Sequence, residues 1–118
     1  MATLAPEIVR QRLLIEGYYD AETDGPRIEA FLQGLADHLD LRTYGEAVIF
    51  TPGGQGREAN QGYDAFLPLI DSGISLYVWT GSRFAAVVLF TCKAFDEEAA
   101  IEYTTRSWSM REFEAHAF

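Results

Sequence analysis

Residues 71–92 read DSGISLYVWTGSRFAAVVLFTC, and this run constrains the fold more than any other part of the chain. Residues 74–80 alternate, with Ile74, Leu76 and Val78 on one face and Ser75, Tyr77 and Trp79 on the other, the period of a half-buried strand. Gly81-Ser82 turns the chain, since glycine and serine favour turns. Residues 84–91 are almost wholly apolar, as a central strand requires. The run predicts a β-hairpin with a serine opening its first strand and the only cysteine closing its second. Strands joined by so short a turn must pair antiparallel.

The flanking segments extend this pattern. Residues 11–19 (QRLLIEGYY) are apolar and aromatic and predict a strand. Ile28, Phe31, Leu32, Leu35 and Leu39 recur at helical spacing, which predicts a helix over residues 27–41. Asp24 is its expected N-cap, with Pro26 just inside the start. Residues 47–51 form a short strand stopped by Pro52. Residues 52–62 hold four glycines and read as a flexible connection or a lid, with no phosphate-binding glycine motif. Residues 63–70 form a strand whose Pro68 belongs at an edge or a bulge. A second helix spans residues 96–108, with Asp96, Glu97 and Glu98 where the helix dipole favours acids. Its apolar face carries Ala99, Ala100, Tyr103 and Trp108. Residues 110–118 alternate Phe113, Ala115 and Ala117 with Glu112, Glu114 and His116, as in a last strand.

The order is β-α-β-β-β-β-α-β, with no repeats or linkers. It predicts one α+β domain over residues 1–118: an antiparallel sheet with both helices on one face. The other face is then left apolar and calls for a partner, so a symmetric homodimer is expected.

Composition narrows the function classes. The 118 residues carry 18 acidic and 9 basic side chains, a formal charge of −9. That argues against a nucleic-acid backbone or an anionic membrane as partner, because both need a positive patch. One cysteine excludes an intrachain disulfide and every cysteine-rich zinc motif. His38 and His116 have no ligand spacing, so no metal is expected. The N-terminus lacks a signal-peptide series, no apolar stretch is long enough for a membrane helix, and a cytoplasmic protein is expected.

The candidate chemistry lies in and around the hairpin. By itself Asp71-Ser72-Gly73 is ordinary turn chemistry, and a lone cysteine such as Cys92 is most often a small buried apolar residue. Asp64, Glu16 and Asp71 are either an acidic patch near Ser72, suited to a cationic amine, or three independent surface acids. Tyr18, Tyr19, Phe50, Tyr63 and Trp79 are suited either to stacking an adenine or to lining a core. In sequence order, the residues here are Gln61-Gly62-Tyr63-Asp64, Phe66 to Ile70, Asp71-Ser72-Gly73, Tyr77-Val78-Trp79-Thr80-Gly81 and Phe90-Thr91-Cys92. This series resembles the prokaryotic S-adenosylmethionine decarboxylases, pyruvoyl enzymes that supply aminopropyl groups for spermidine. Their pattern is a Gly-x-Ser stretch, Glu-Ser-His, His-Thr-Trp-Pro-Glu and Phe-Thr-Cys, and the spacing fits without a gap.

The resemblance implies roles. Ser72 aligns with the serine that becomes the pyruvoyl cofactor: its hydroxyl attacks the carbonyl of the preceding residue, here Asp71, and the ester eliminates. Cys92 aligns with the acid that reprotonates the product carbon. Trp79, Tyr63 and Glu16 are the expected substrate-binding residues. The departures fall on self-processing. Tyr77 stands for the histidine that drives elimination, Asp64 for the serine that assists ester formation, Gly73 for a second histidine, and Thr80-Gly81 for Pro-Glu. A phenol, with a reference pKa of about 10, is a poor base near neutral pH. The expectation is a divergent relative that does not self-process, a pseudoenzyme that binds small molecules or regulates in polyamine metabolism, with an active paralogue as a possible partner. The alternative is an active pyruvoyl-dependent decarboxylase of S-adenosylmethionine or of an amino acid such as ornithine or arginine.

Overall fold

The computed structural model describes residues 4–51 and 61–118. The sequence-predicted connection over residues 52–62 therefore lies almost entirely outside the described residues. The elements are β1 (Gln11–Tyr18), α1 (Gly25–His38), β2 (Val48–Phe50), β3 (Gly62–Leu69), β4 (Ser72–Trp79), β5 (Phe84–Thr91), α2 (Glu97–Ser107) and β6 (Glu112–Ala117). They form one six-stranded sheet in the order β2-β3-β4-β5-β1-β6, and every neighbouring pair is antiparallel. The α+β architecture is the one the sequence predicts.

Both helices cover one face. The inner rows are Leu13 and Ile15 of β1, Ala65, Leu67 and Leu69 of β3, Ile74, Leu76 and Val78 of β4, and Ala85, Val87 and Leu89 of β5. They pack on Ile28, Phe31, Leu32, Leu35 and Ala36 of α1 and on Ala100 and Trp108 at α2. Each fully buried aliphatic side chain of this kind stabilises the fold by roughly 1.5–3 kcal/mol through its removal from water.

Helix starts follow local chemistry. Asp24 caps α1, its carboxylate accepting from the Arg27 N–H at 2.8 Å. Asp96 caps α2 by accepting from the Ala99 N–H at 3.1 Å, so it lies just outside the helix the sequence placed it in. The C-terminus of α1 differs more. The helix stops at His38 with Leu39 as C-cap, Asp40 takes a left-handed φ of 57°, and Leu41 N–H returns to Ala36 C=O. Leu39 and Leu41 stay buried although they lie beyond the helix; their hydrophobicity is what extends the predicted span. On α2 the buried positions within the helix are Ala100 and Thr104, and Thr104 was not legible as core because threonine gives no apolar signal.

Pro68 is consistent with an edge rule applied locally. β2 pairs only with residues 64–66 of β3. Beyond its end the Pro68 carbonyl accepts from the Tyr44 N–H at 3.1 Å. The missing proline N–H faces the same side, outside the β2–β3 ladder, where Thr43 makes an isolated bridge with Leu69.

Among the described residues no element covers the second face of the sheet. Val48, Phe50, Phe66, Tyr77, Phe90 and Tyr18 point there and are between 40% and 63% exposed. Its cross-strand rows run Val48–Phe66–Ser75–Val88–Leu14–His116 and Phe50–Asp64–Tyr77–Ala86–Glu16–Glu114.

Candidate functional site

One end of the sheet collects the start of β1, the β3–β4 turn, the start of β4 and the end of β5. Leu69 pairs with Ser72 across a two-residue turn of Ile70 and Asp71. Asp71 has a φ of 56°, a left-handed conformation that side-chain-bearing residues avoid except for Asn and Asp, which are enriched there. Position 71 therefore holds a strained backbone immediately before Ser72.

Ser72 and Cys92 are brought together. The Cys92 backbone N–H donates to Ser72 Oγ at 2.9 Å. The chain bends there because Thr91 Oγ1 donates to the Lys93 carbonyl at 2.7 Å. Ser72 and Cys92 line a cavity of about 450 Å³ together with Asp40, Leu41, Arg42, Leu69, Ile70, Asp71 and Lys93. Lys93 Nζ donates to the Asp40 carbonyl at 2.7 Å and to its carboxylate at 3.2 Å. This ion pair is solvent-exposed, so it contributes little stability, but it joins the segment after α1 to the segment after β5 beside the cavity. The cavity offers a hydroxyl, a thiol, two carboxylates and two cations around an apolar floor.

The other sequence-predicted residues lie elsewhere. Tyr77 pairs with Asp64, and both point to the uncovered face. Tyr77 is five residues along β4 from Ser72, roughly 16 Å at ~3.3 Å per residue, with its side chain on the opposite face. Glu16 lies in the row of Asp64 but three strand spacings away, roughly 14 Å. The acidic patch of Asp64, Glu16 and Asp71 expected near Ser72 is therefore not formed: Asp71 alone is at the cavity. Pairing rows, which the sequence does not display, separate the three acids.

The expected aromatic set divides too. Tyr63 faces the helices and packs against the core, whereas Trp79 is on the uncovered face, its ring centroid 5.7 Å from that of Phe84. Tyr63 and Trp79 are thus on opposite sides of the sheet. Tyr18 stands edge-on to Phe84 at 5.3 Å, giving an aromatic row Trp79–Phe84–Tyr18 at the end of the sheet away from Ser72. Tyr19 is buried against Trp108 at 5.1 Å; it is a core residue, not a stacking platform. Phe50 is exposed on the uncovered face. Among the described residues no three His, Cys, Asp or Glu side chains converge as a metal site.

Sequence reading missed Asp40, Arg42 and Lys93. Lys93 directly follows Cys92 and so had a local signal; Asp40 and Arg42 reach the cavity only through the packing of α1 on the sheet.

The fold defines a class first: a two-layer α+β domain with Ser72 and Cys92 side by side at one end of a hairpin. The model of the family "S-adenosylmethionine decarboxylase" matches residues 12–118, and the chain belongs to that family. Among solved structures, the crystal structure of the adenosylmethionine decarboxylase from Aquifex aeolicus VF5 is similar, with a TM-score of 0.73 and 19% identity, over 94% of this chain and 89% of that one. At that identity the likeness speaks for the fold. No curated protein matches the chain.

Proposed function

We propose that this protein is a member of the S-adenosylmethionine decarboxylase family that does not self-process, and that it serves in the cytoplasm as a small-molecule-binding or regulatory homologue in polyamine metabolism. The observation that carries the reading is the placement of Tyr77. Elimination from a Ser72 ester needs a base at the Ser72 α-carbon. Tyr77 stands where the family has its histidine, and in this chain it lies on the opposite face from Ser72. A second copy would seat on the uncovered sheet face. The same face would seat an active paralogue. The ligand's place is the cavity at Ser72 and Cys92, whose Asp40 and Asp71 suit an amine and whose Arg42 suits a carboxylate.

The second reading, an active pyruvoyl-dependent decarboxylase, is favoured by two observations. Ser72 and Cys92 are adjacent, and the strained φ of Asp71 stores on the order of 1–3 kcal/mol next to the bond that processing would break. Once formed, a pyruvoyl group supplies the electron sink for decarboxylation; Cys92 would then be placed as the proton donor.

Intact mass spectrometry of purified protein, fresh and after days at 37 °C, separates the two. The first reading expects one species of 13.2 kDa. Two fragments, residues 1–71 and 72–118, with a borohydride-reducible carbonyl on the second, overturn it. Cleavage that begins only in Tyr77→His would identify the lost histidine as the block.

A further inference from the structure

β1 carries two unlike charges on the uncovered face. Arg12, Leu14 and Glu16 alternate along the strand with Leu13 and Ile15, which are buried under the helices. Arg12 and Glu16 are four residues apart, roughly 13 Å at ~3.3 Å per residue, so they cannot pair within one copy. Neither forms an ion pair among the described residues. The Arg12 guanidinium lies over the Phe118 ring instead, 5.4 Å from its centroid. Leu14 stands midway between the two charges, in the cross-strand row Val48–Phe66–Ser75–Val88–Leu14–His116, which holds no carboxylate. On one side of this row lies Pro68–Gly73–Phe90–Arg12, and on the other the row with Asp64, Glu16 and Glu114.

A second copy on this face is the reading proposed above, on which this inference rests. Aligned sheets keep their strands within about 30° of one another. The two-fold axis between the copies then runs either along the strands or across them. An axis along the strands returns every row onto itself. Centred on the sheet, it sets Asp64 of each copy over the partner's Glu16, and like charges facing each other across an interface are strongly disfavoured. An axis across the strands, over the row of Leu14, reverses the order of rows. The apolar row then lies on itself, and the row of Arg12 lies on the row of Glu16.

We propose that two copies stack with their two-fold axis across the strands at Leu14, so that Arg12 of each copy pairs with the partner's Glu16. The series Arg12-x-Leu14-x-Glu16 is self-complementary about its centre. Positions 12 and 16 exchange under the two-fold while Leu14 meets its own counterpart. Two equivalent ion pairs result, one on each side of a seam made of Val48, Phe66, Val88 and Leu14. An apolar centre flanked by charge pairs is the common plan of a protein interface. The Ser72–Cys92 cavities lie at opposite ends of such a dimer.

The test uses the full chain and two measurements. Ser82 is exposed in the β4–β5 turn, six residues along β5 from Val88 of the Leu14 row, or roughly 20 Å from the proposed axis. Spin labels on Ser82→Cys, with the native thiol removed by Cys92→Ser, are expected to lie about 40 Å apart in the dimer. An axis along the strands puts both labels at one end, less than about 20 Å apart. In the second measurement, Arg12→Glu and Glu16→Arg are each expected to weaken dimerisation at least about tenfold, because each sets like charges together. The double variant carrying both changes is expected to recover the parent's affinity, which a variant that merely misfolds would not do. A parent that stays monomeric overturns the reading of a second copy on this face, and this inference with it. A dimer with the short label separation, or one whose charge reversals are harmless or are not rescued in the double variant, overturns this inference alone.

Discussion

Gly73 follows Ser72 on β4, and the ring of Phe66 lies over it. A Cβ at position 73 would stand 2.6 Å from Phe66 Cε1 and 2.7 Å from Cζ. The histidine that the family pattern has at this position therefore does not fit beside Phe66 as it lies. Phe66 is 43% exposed, so its ring can swing outward. Gly73→His is expected to lower stability by about 1–2 kcal/mol, the scale of overpacking. In Phe66→Ala the same change should cost much less, so a double-mutant cycle followed by urea unfolding should give a coupling near 1 kcal/mol. Additive effects would show that the two residues are independent. The departure at 73 is in this sense one of a pair, and restoring the family's residue alone restores a clash.

At the scale of elements, α1 and α2 meet at a glycine. Tyr103 Oη on α2 would lie only 1.9 Å from a Cβ at Gly34 on α1, and Cζ 3.1 Å from it. Tyr103 cannot easily retreat, because its ring is stacked between Phe31 at 6.0 Å and His38 at 5.1 Å. In an isolated helix, Gly→Ala would stabilise by roughly 0.5–1 kcal/mol. Here the contact outweighs propensity, and Gly34→Ala is expected to destabilise by about 1–3 kcal/mol in thermal or urea unfolding. If instead it stabilises, the helices are free to separate at this point. The β-strands show the same economy of space: a Cβ at Gly17 would meet the Glu112 carbonyl oxygen of β6 at 2.5 Å, so β6 docks on β1 at a position where no side chain intervenes.

At the scale of the molecule, one layer of helices serves a sheet with two faces. The uncovered face is a mixture of exposed aromatics and aliphatics with acids in one row, and an exposed apolar patch of this kind marks an interaction surface. On the proposed reading a second copy covers it. Light scattering at micromolar concentration should then give about twice 13.2 kDa, and Phe50→Asp with Phe90→Asp should give a folded monomer. Both side chains are outside the helix-covered core, so the fold should survive the change. A parent protein that is monomeric at that concentration sinks the shared-face reading.

What the sequence determined by itself is whatever neighbours along the chain decide. Asp24 and Asp96 cap their helices because each cap is closed within three residues. Ile74, Leu76 and Val78 face the core because a strand alternates. Ser72 and Cys92 meet because a hairpin of short turn leaves its two open ends side by side. Tertiary structure decided the rest. Asp64 and Glu16 were separated from Ser72 by pairing rows that join strands distant in sequence. Tyr63 and Trp79 were sent to opposite faces by the same pairing. Asp40 and Arg42 entered the cavity because α1 stops one turn early, at the left-handed Asp40, and turns its following segment onto Leu69. No spacing in the sequence records these contacts, since each depends on where a whole element packs, and that is set by burial summed over the core rather than by any one residue's preference.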